Sequence, residues 1–274
     1  MSLELNLNGY KFLKSEAHFI PFTKGDDMLP FCRVNFYHKS DNITQGRIRL
    51  KEVGDFCFYE HEDGIMLSDG SSFAVVHSDF ATIDMHLPYQ WGFAEHQVMF
   101  LLLNAYRYVL VHNGHFQIHS AVVTKDGYGV AFCGLPGAGK STQAHLWEEH
   151  LDAQALNLDQ PVILFENDEV LVSGSPWSGK EDCYKSDTAP LKAIVFVQQA
   201  KENSIQSMSK AEAYSLLFLN NFMVPVKDEI EEKHKEAVLK IVTKVPCYKL
   251  CCTISKEAVE VAYDMIFKDT DKEK

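Results

Sequence analysis

The chain predicts a mixed α/β fold in which a phosphate-loop domain follows a β-rich N-terminal region. Three observations carry this. The strand-like run Tyr128–Cys133 leads straight into the glycine-rich stretch Gly134-Leu135-Pro136-Gly137-Ala138-Gly139-Lys140-Ser141. Helical spacing of apolar residues resumes directly behind that stretch. Residues 1–90 hold short runs of alternating character separated by Gly, Asp, Asn and Ser, as small antiparallel strands do. The boundary is placed at 90/91, giving a β-rich region over 1–90 and a nucleotide-binding domain over 91–274.

Element by element, strands are expected at 31–37, 46–50, 55–59 and 72–77. A helix is expected from Phe93 to His112, because Val98, Leu101, Leu102, Ala105, Tyr108 and Val109 recur on one face and Asn113-Gly114 stops it. Residues 116–123 read as one strand, Lys125-Asp126-Gly127 as a turn, and Tyr128–Cys133 as the returning strand. Behind the glycine-rich stretch, 142–150 is helical, with Ala144, Trp147 and Leu151 together. Residues 155–159 form a short buried strand. Residues 162–165 and 170–173 form a hairpin, and 191–197 a further strand. Ser209 and Glu212 make a capping box that opens a helix to Leu219. A charged helix spans 228–242, a strand 248–253, and Ser255 caps a last helix to Phe267. The charged tail from Lys268 is expected to fray.

Composition narrows the function. The chain has 274 residues, 46% of them hydrophobic, and a net charge of −12. That charge disfavours nucleic acid and anionic membranes as main partners. The most apolar window, 98–111, is too short to span a bilayer, and the first ten residues lack the pattern of a signal peptide. Seven irregularly spaced cysteines without an export signal fit reduced thiols, so a soluble, cytoplasmic protein is expected. Cys247, Cys251 and Cys252 lack the second ligand pair that a structural metal site would need.

The stretch Gly134 to Ser141 has the pattern G-x-x-x-x-G-K-[ST]. Glycines let the backbone turn sharply and aim successive N–H groups at one anion. The following helix adds the positive end of its dipole. Lys140 offers a point charge for the β and γ phosphates, and Ser141 a hydroxyl for Mg²⁺. The expected ligands are therefore ATP and Mg²⁺. A phosphate loop works with an acidic metal ligand at the end of a neighbouring strand, and Asp159, ending 155–159, is the candidate. The plainer alternative is an Asp that caps a loop beside Pro161.

The segments Ile118-His119-Ser120-Ala121-Val122, Phe132 to Thr142, Leu156 to Pro161, and Gly174-Ser175-Pro176-Trp177-Ser178-Gly179-Lys180 together resemble the HPr kinase/phosphorylase-like family, which shares a fold with phosphoenolpyruvate carboxykinases. The resemblance covers roughly residues 114 to 267. It implies that Gly134, Leu135, Pro136, Gly137, Ala138, Gly139, Lys140, Ser141 and Thr142 hold the ATP phosphates. It also implies that Asp159 and Ser141 bind Mg²⁺, and that His119 stands near the transferred phosphate. Lys140, His119 and Asp159 are then the catalytic candidates.

Two departures matter. Where the family carries Asp-Asp-Arg, this chain has Leu158-Asp159-Gln160. Leucine cannot accept a hydroxyl proton as the family's first Asp does, and the missing arginine removes a clamp on the transferring phosphoryl group. The four arginines all lie at or before Arg107, so an arginine clamp would have to come from Arg33, Arg47, Arg49, Arg107 or another subunit, with Lys180 or Lys185 as point-charge substitutes. Asp152 and Asp187 are substitute bases by sequence proximity alone. The turn 176–180 either lines a substrate cleft or is a structural turn around a packed Trp177. Two functions follow. One is an ATP-dependent phosphotransferase acting on a hydroxyl of a small protein, peptide or small molecule. The other is a degenerate relative that binds ATP as a structural or regulatory ligand. Oligomeric state stays open.

Overall fold

The structure is a computed structural model of the chain, and it describes residues 3–6, 16–23, 31–38, 48–88, 95–220 and 226–268. It is a mixed α/β protein with two compact units. The first comprises Met1–Gly114 with Met223–His234, the second His115–Phe222 with Lys235–Lys274. The division therefore falls at Gly114/His115 rather than at 90/91, and the helix expected to open the second domain belongs to the first unit. The expected strand start at 46, the helix start at Phe93 and the tail from 269 onward lie outside the described residues.

The first unit is built on one sheet. Its strands are β1 (Leu3–Asn6), β2 (Cys32–His38), β3 (Arg49–Val53), β4 (Phe56–His61), β5 (Gly64–Ser68), β6 (Phe73–His77) and β7 (Thr82–Leu87), in the order β1-β2-β7-β6-β5-β4-β3. A short helix, α1 (Glu16–Phe19), follows β1. The β1-β2 and β2-β7 pairs are parallel and the β3 to β7 meander is antiparallel. Helix α2 (Glu95–His112) packs on β5, β6 and β7 and buries Val98, Leu101, Leu102, Ala105, Tyr108 and Val109, but also Leu103, Tyr106, Arg107, Leu110 and Val111, so it is buried nearly all round rather than on the one expected face. Strands β5 and β7 escape the sequence reading. Gly64 has φ +148°, and a side chain there would strike the Val76 carbonyl at 2.1 Å. The glycine that looks like punctuation is a position where two strands approach closely.

The second unit contains β8 (Phe116–Gln117), β9 (Ser120–Lys125), β10 (Tyr128–Cys133), α3 (Lys140–Leu151), β11 (Gln154–Asn157), β12 (Val162–Glu166), β13 (Glu169–Ser173), β14 (Thr188–Gln199), β15 (Ser204–Ser207), α4 (Lys210–Leu219), the second part of α5 (Asp228–Lys244), β16 (Cys247–Cys252) and α6 (Lys256–Tyr263). Its sheet runs β11-β9-β10-β14 and then forks. The first residues of β14 pair with β13 and lead to β12 and β8. The later residues pair in parallel with β10 and β16, and β15 closes that edge. Ala193, Ile194, Val195, Phe196 and Val197 are buried, as central parallel strands must be. Helices α3 and α6 pack together, and α3 lies on β9, β10 and β11. Trp147 is fully buried there, edge-on to Phe132.

Local chemistry explains the connections. Asp126 and Asn167-Asp168 take positive φ, and with Gly127 they form two-residue hairpin turns whose twist suits the flanking strands. Ser209 accepts a hydrogen bond from the Glu212 N–H, and Ser255 from the Ala258 N–H, at the expected caps. Among the described residues no helix is long and apolar enough to cross a membrane.

Candidate functional site

The glycine-rich loop leaves the end of β10 and enters α3. Gly134 has φ +146°, and a Cβ there would lie 2.9 Å from the Val197 carbonyl oxygen, so only glycine lets the loop start beside β14. Gly137 and Gly139 have φ +80° and +104°, which bends the chain back over the strand ends. The Ala138 N–H closes a turn on the Leu135 carbonyl, and Gln199 at the end of β14 donates to the Gly137 carbonyl at 2.8 Å. Pro136 lies within that turn. Helix α3 begins at Lys140, two residues before the expected start. Ser141 and Thr142 therefore lie in its first turn, where backbone N–H groups lack helical acceptors.

Lys140 folds back on its own loop. It is only 8% exposed, and its ammonium donates to the Gly134 carbonyl at 3.1 Å. Among the described residues that carbonyl is its sole hydrogen-bond acceptor, and no carboxylate pairs with it. Burial lowers its pKa, with Cys133 and Asp159 acting in the other direction. Cys133 behind the loop is pushed up to about 12 by burial and stays a neutral thiol.

Asp159 and His119 come together. The expected single strand 116–123 is broken at Ile118-His119. Its first part, β8, pairs with β12 and its second, β9, with β10, while the Ser120 N–H donates to the Asp159 carbonyl. The break turns His119 so that Nε2 lies 3.2 Å from Asp159 Oδ1. Burial works against the charge of Asp159. Hydrogen bonds from His119 and Gln160, with the charges of His119 and Lys140, outweigh it and hold the carboxyl below its ordinary value.

Asn157 builds the turn that carries Asp159, and the sequence reading missed it. The side chain is fully buried. Its Oδ1 accepts from the backbone N–H groups of Asp159 and Gln160 at 3.0 and 2.7 Å, and its Nδ2 donates to the Trp177 carbonyl at 3.1 Å. Ser175 Oγ donates to the Gln160 carbonyl at 2.6 Å and accepts from the Trp177 N–H. The strap 174–187 therefore closes over 157–160. Gly179 has φ +69°, and a Cβ there would lie 2.9 Å from Cβ and Cγ of Asp159. The signal available in the sequence was the pair of an Asn two residues before the Asp and a later glycine, but the nineteen residues between Asp159 and Gly179 hide it.

Other expected participants are placed elsewhere. Leu158 is 7% exposed and packs in the core with Trp147, Ala153 and Cys183, so its side chain does not face the position a general base would need. Asp152 caps the far end of α3, about 16 Å from Ser141 at the rise of a helix. Asp187 sits at the foot of the strap, its carbonyl accepting from the Gly174 N–H. Trp177 is buried under the strap, which makes 176–180 a packed turn. Among the described residues no group of three or more His, Cys, Asp and Glu is arranged to hold a metal ion.

A family model described as SynChlorMet cassette protein ScmC matches residues 94–266, well over half of the chain. The chain belongs to the ScmC family. The match takes in the loop, His119, Asp159 and the strap, so the whole candidate site of this ScmC family member lies within it. The solved structure of the Hpr(Ser) kinase/phosphatase from Coxiella burnetii is similar over 58% of this chain and 99% of that one, at 9% identity and a TM-score of 0.34. At that score the overlap is too loose to define a shared fold. No curated protein matches the chain.

Proposed function

We propose that the chain binds ATP at residues 134–142 and transfers its terminal phosphoryl group to a hydroxyl acceptor. The observation that carries this is the buried Lys140 ammonium, which has one carbonyl acceptor and no counter-ion among the described residues. A desolvated cation is stable only when an anion or several acceptors complete it. The N–H groups in the first turn of α3, next to Lys140 in the chain, lack helical acceptors and favour an anion there. A phosphate chain supplies the missing negative charge.

Mg²⁺ fits the remaining donors. The Ser141 hydroxyl and the Asp159 carboxylate are hard oxygen ligands, and the ion would complete its shell with phosphate oxygens and water. When bound, it neutralises charge on the phosphates. The bond from His119 fixes the orientation of the Asp159 carboxylate, and Asn157 fixes the backbone behind it. With Leu158 in the core, acceptance of the hydroxyl proton falls to the His119–Asp159 pair. The likeness of 118–122, 132–142 and 156–161 to HPr kinase/phosphorylase-like proteins supports the same reading.

A second reading has its own support. The burial of Leu158 and the Gln at 160 leave neither a dedicated base nor an arginine clamp, which favours a chain that binds ATP without turning it over. Calorimetric titration with Mg·ATP, followed by transfer assays with γ-labelled ATP on protein, peptide and small hydroxyl acceptors, separates the two. Phosphotransfer lost in Lys140→Ala and Asp159→Asn supports the first reading. Binding without transfer to any acceptor class supports the second. No binding in the wild type overturns both.

A further inference from the structure

One titratable side chain outside the phosphate site is tied on both sides. His145 lies on α3, one and a half turns beyond Lys140. Its Nδ1 is 3.0 Å from Glu148 Oε2 on the same helix, and its Nε2 is 2.8 Å from Glu181 Oε2 on the strap. A carboxylate can only accept, so satisfying both bonds requires protons on both ring nitrogens. Glu148 is itself held, since its other oxygen accepts from the Ala155 N–H at 3.0 Å. The strap is fastened at its foot by Gly174 to Asp187, beneath by Trp177 to Asn157, and by Cys183 in the core. Ser178 is buried and accepts from the Leu158 N–H, so the exposed outer stretch is 179–182; it carries Gly179 against the Asp159 carboxylate, and its described side-chain bond to another element is Glu181 to His145.

We infer that His145 is a positioning residue: its doubly protonated ring clasps the outer strap to α3 and thereby holds Gly179 over Asp159. The inference rests on the nucleotide reading only where it concerns ligand binding; the clasp itself does not. The charged groups acting on the ring are Glu148 from its own helix and Glu181 from the strap. Burial pulls its pKa down, and these two carboxylates outweigh it and leave it raised. A histidine raised in the folded state contributes below its ordinary value and loses that contribution as pH rises through the raised one. The clasp is therefore closed below the ordinary imidazole value of about 6.5 and released as pH rises through the raised one. Release loosens 179–182 over Asp159, while Trp177, Ser178 and Cys183 keep the rest of the strap packed.

The test is carbon-detected NMR relaxation of the full-length protein from about pH 6 to about pH 9, spanning the ordinary imidazole value of about 6.5, which reads backbone order without relying on amide protection. In the wild type, 179–182 should be ordered at the low end and lose that order as pH rises through the raised pKa, while 175–177 stays ordered. His145→Gln should leave 179–182 poorly ordered at every pH. His145→Lys, which keeps a cation with several donors, should restore order and flatten the pH profile. Order in the wild type that is flat with pH, or equal in His145→Gln, overturns the clasp. Where Mg·ATP binds, His145→Gln should weaken it several-fold in a pH-dependent way. Failure of Mg·ATP to bind even the wild type counts against the nucleotide reading alone, because the relaxation result needs no nucleotide.

Discussion

Replacing Lys140 by methionine should raise the melting temperature of the ligand-free protein and abolish its response to Mg·ATP. Lys140 is 8% exposed, its pKa is lowered by burial, and its ammonium has a single carbonyl acceptor among the described residues. A group whose charged form is disfavoured by folding penalises the folded state at any pH where it stays protonated. Exchanging buried ionic groups for apolar ones of similar volume stabilises by about 1–4 kcal/mol in favourable cases. Loss of the hydrogen bond to the Gly134 carbonyl takes back about 1–1.5 kcal/mol. The net gain is about 1 kcal/mol, or about 2–4 °C in a chain of this size. In the wild type, Mg·ATP at about a hundred times its dissociation constant adds about 2.7 kcal/mol, hence about 5–10 °C. Differential scanning fluorimetry on both proteins, with and without Mg·ATP, reads all four states. A variant that melts well below the wild type without ligand would show that Lys140 is structurally compensated. A variant that keeps the full ligand shift would show that the anion binds elsewhere.

The remaining predictions concern the turn around Asp159. Asn157→Ala strips partners from two N–H groups and a carbonyl and should cost about 3–5 kcal/mol, measured by urea unfolding. A cost under about 1 kcal/mol would mean that the turn holds itself. Gly179→Ala places a Cβ at positive φ against the Asp159 carboxylate, so it should lower stability by about 1–3 kcal/mol and remove the Mg²⁺ dependence of nucleotide affinity, read by calorimetry. Unchanged Mg²⁺ dependence would sever the strap from the metal role. Asp159 has a depressed pKa, so its stabilising contribution is present above the ordinary carboxyl value of about 3.9 and lost as pH falls through the folded value. The stability gap between wild type and Asp159→Asn should therefore be constant near neutrality and narrow below about pH 4. Leu158→Asp buries a carboxylate among Trp147, Ala153 and Cys183, and should destabilise by about 3 kcal/mol or more without creating ATP turnover. A gain of turnover would place position 158 in the active site after all.

Much of the second unit is legible in the residues alone. The loop 134–141, the helix behind it, the caps at Ser209 and Ser255 and the hairpin 162–173 rest on local chemistry: glycine at positive φ, hydroxyls on orphan N–H groups, apolar spacing. The bend of the glycine-rich loop is local in the same sense, since it rests on Gly134, Gly137 and Gly139 at positive φ. The first unit was harder to read. Strand β5 opens on a glycine and is buried almost throughout, so it shows no alternation, whereas β7 alternates cleanly from Thr82 to Leu87, a period-two signal that the reading passed over.

The sequence by itself determined the glycine-rich loop, the order of the elements around it and the absence of an arginine after Arg107. Tertiary structure decided that 116–123 is two strands, a break that brings His119 to Asp159. It also decided that Leu158 turns into the core, that Asn157 carries the turn, and that Glu181 reaches back to His145. Each of these joins residues between about two and forty positions apart through side-chain hydrogen bonds or burial. No periodicity records such contacts, because their free energy exists only once the strands that carry them are in register.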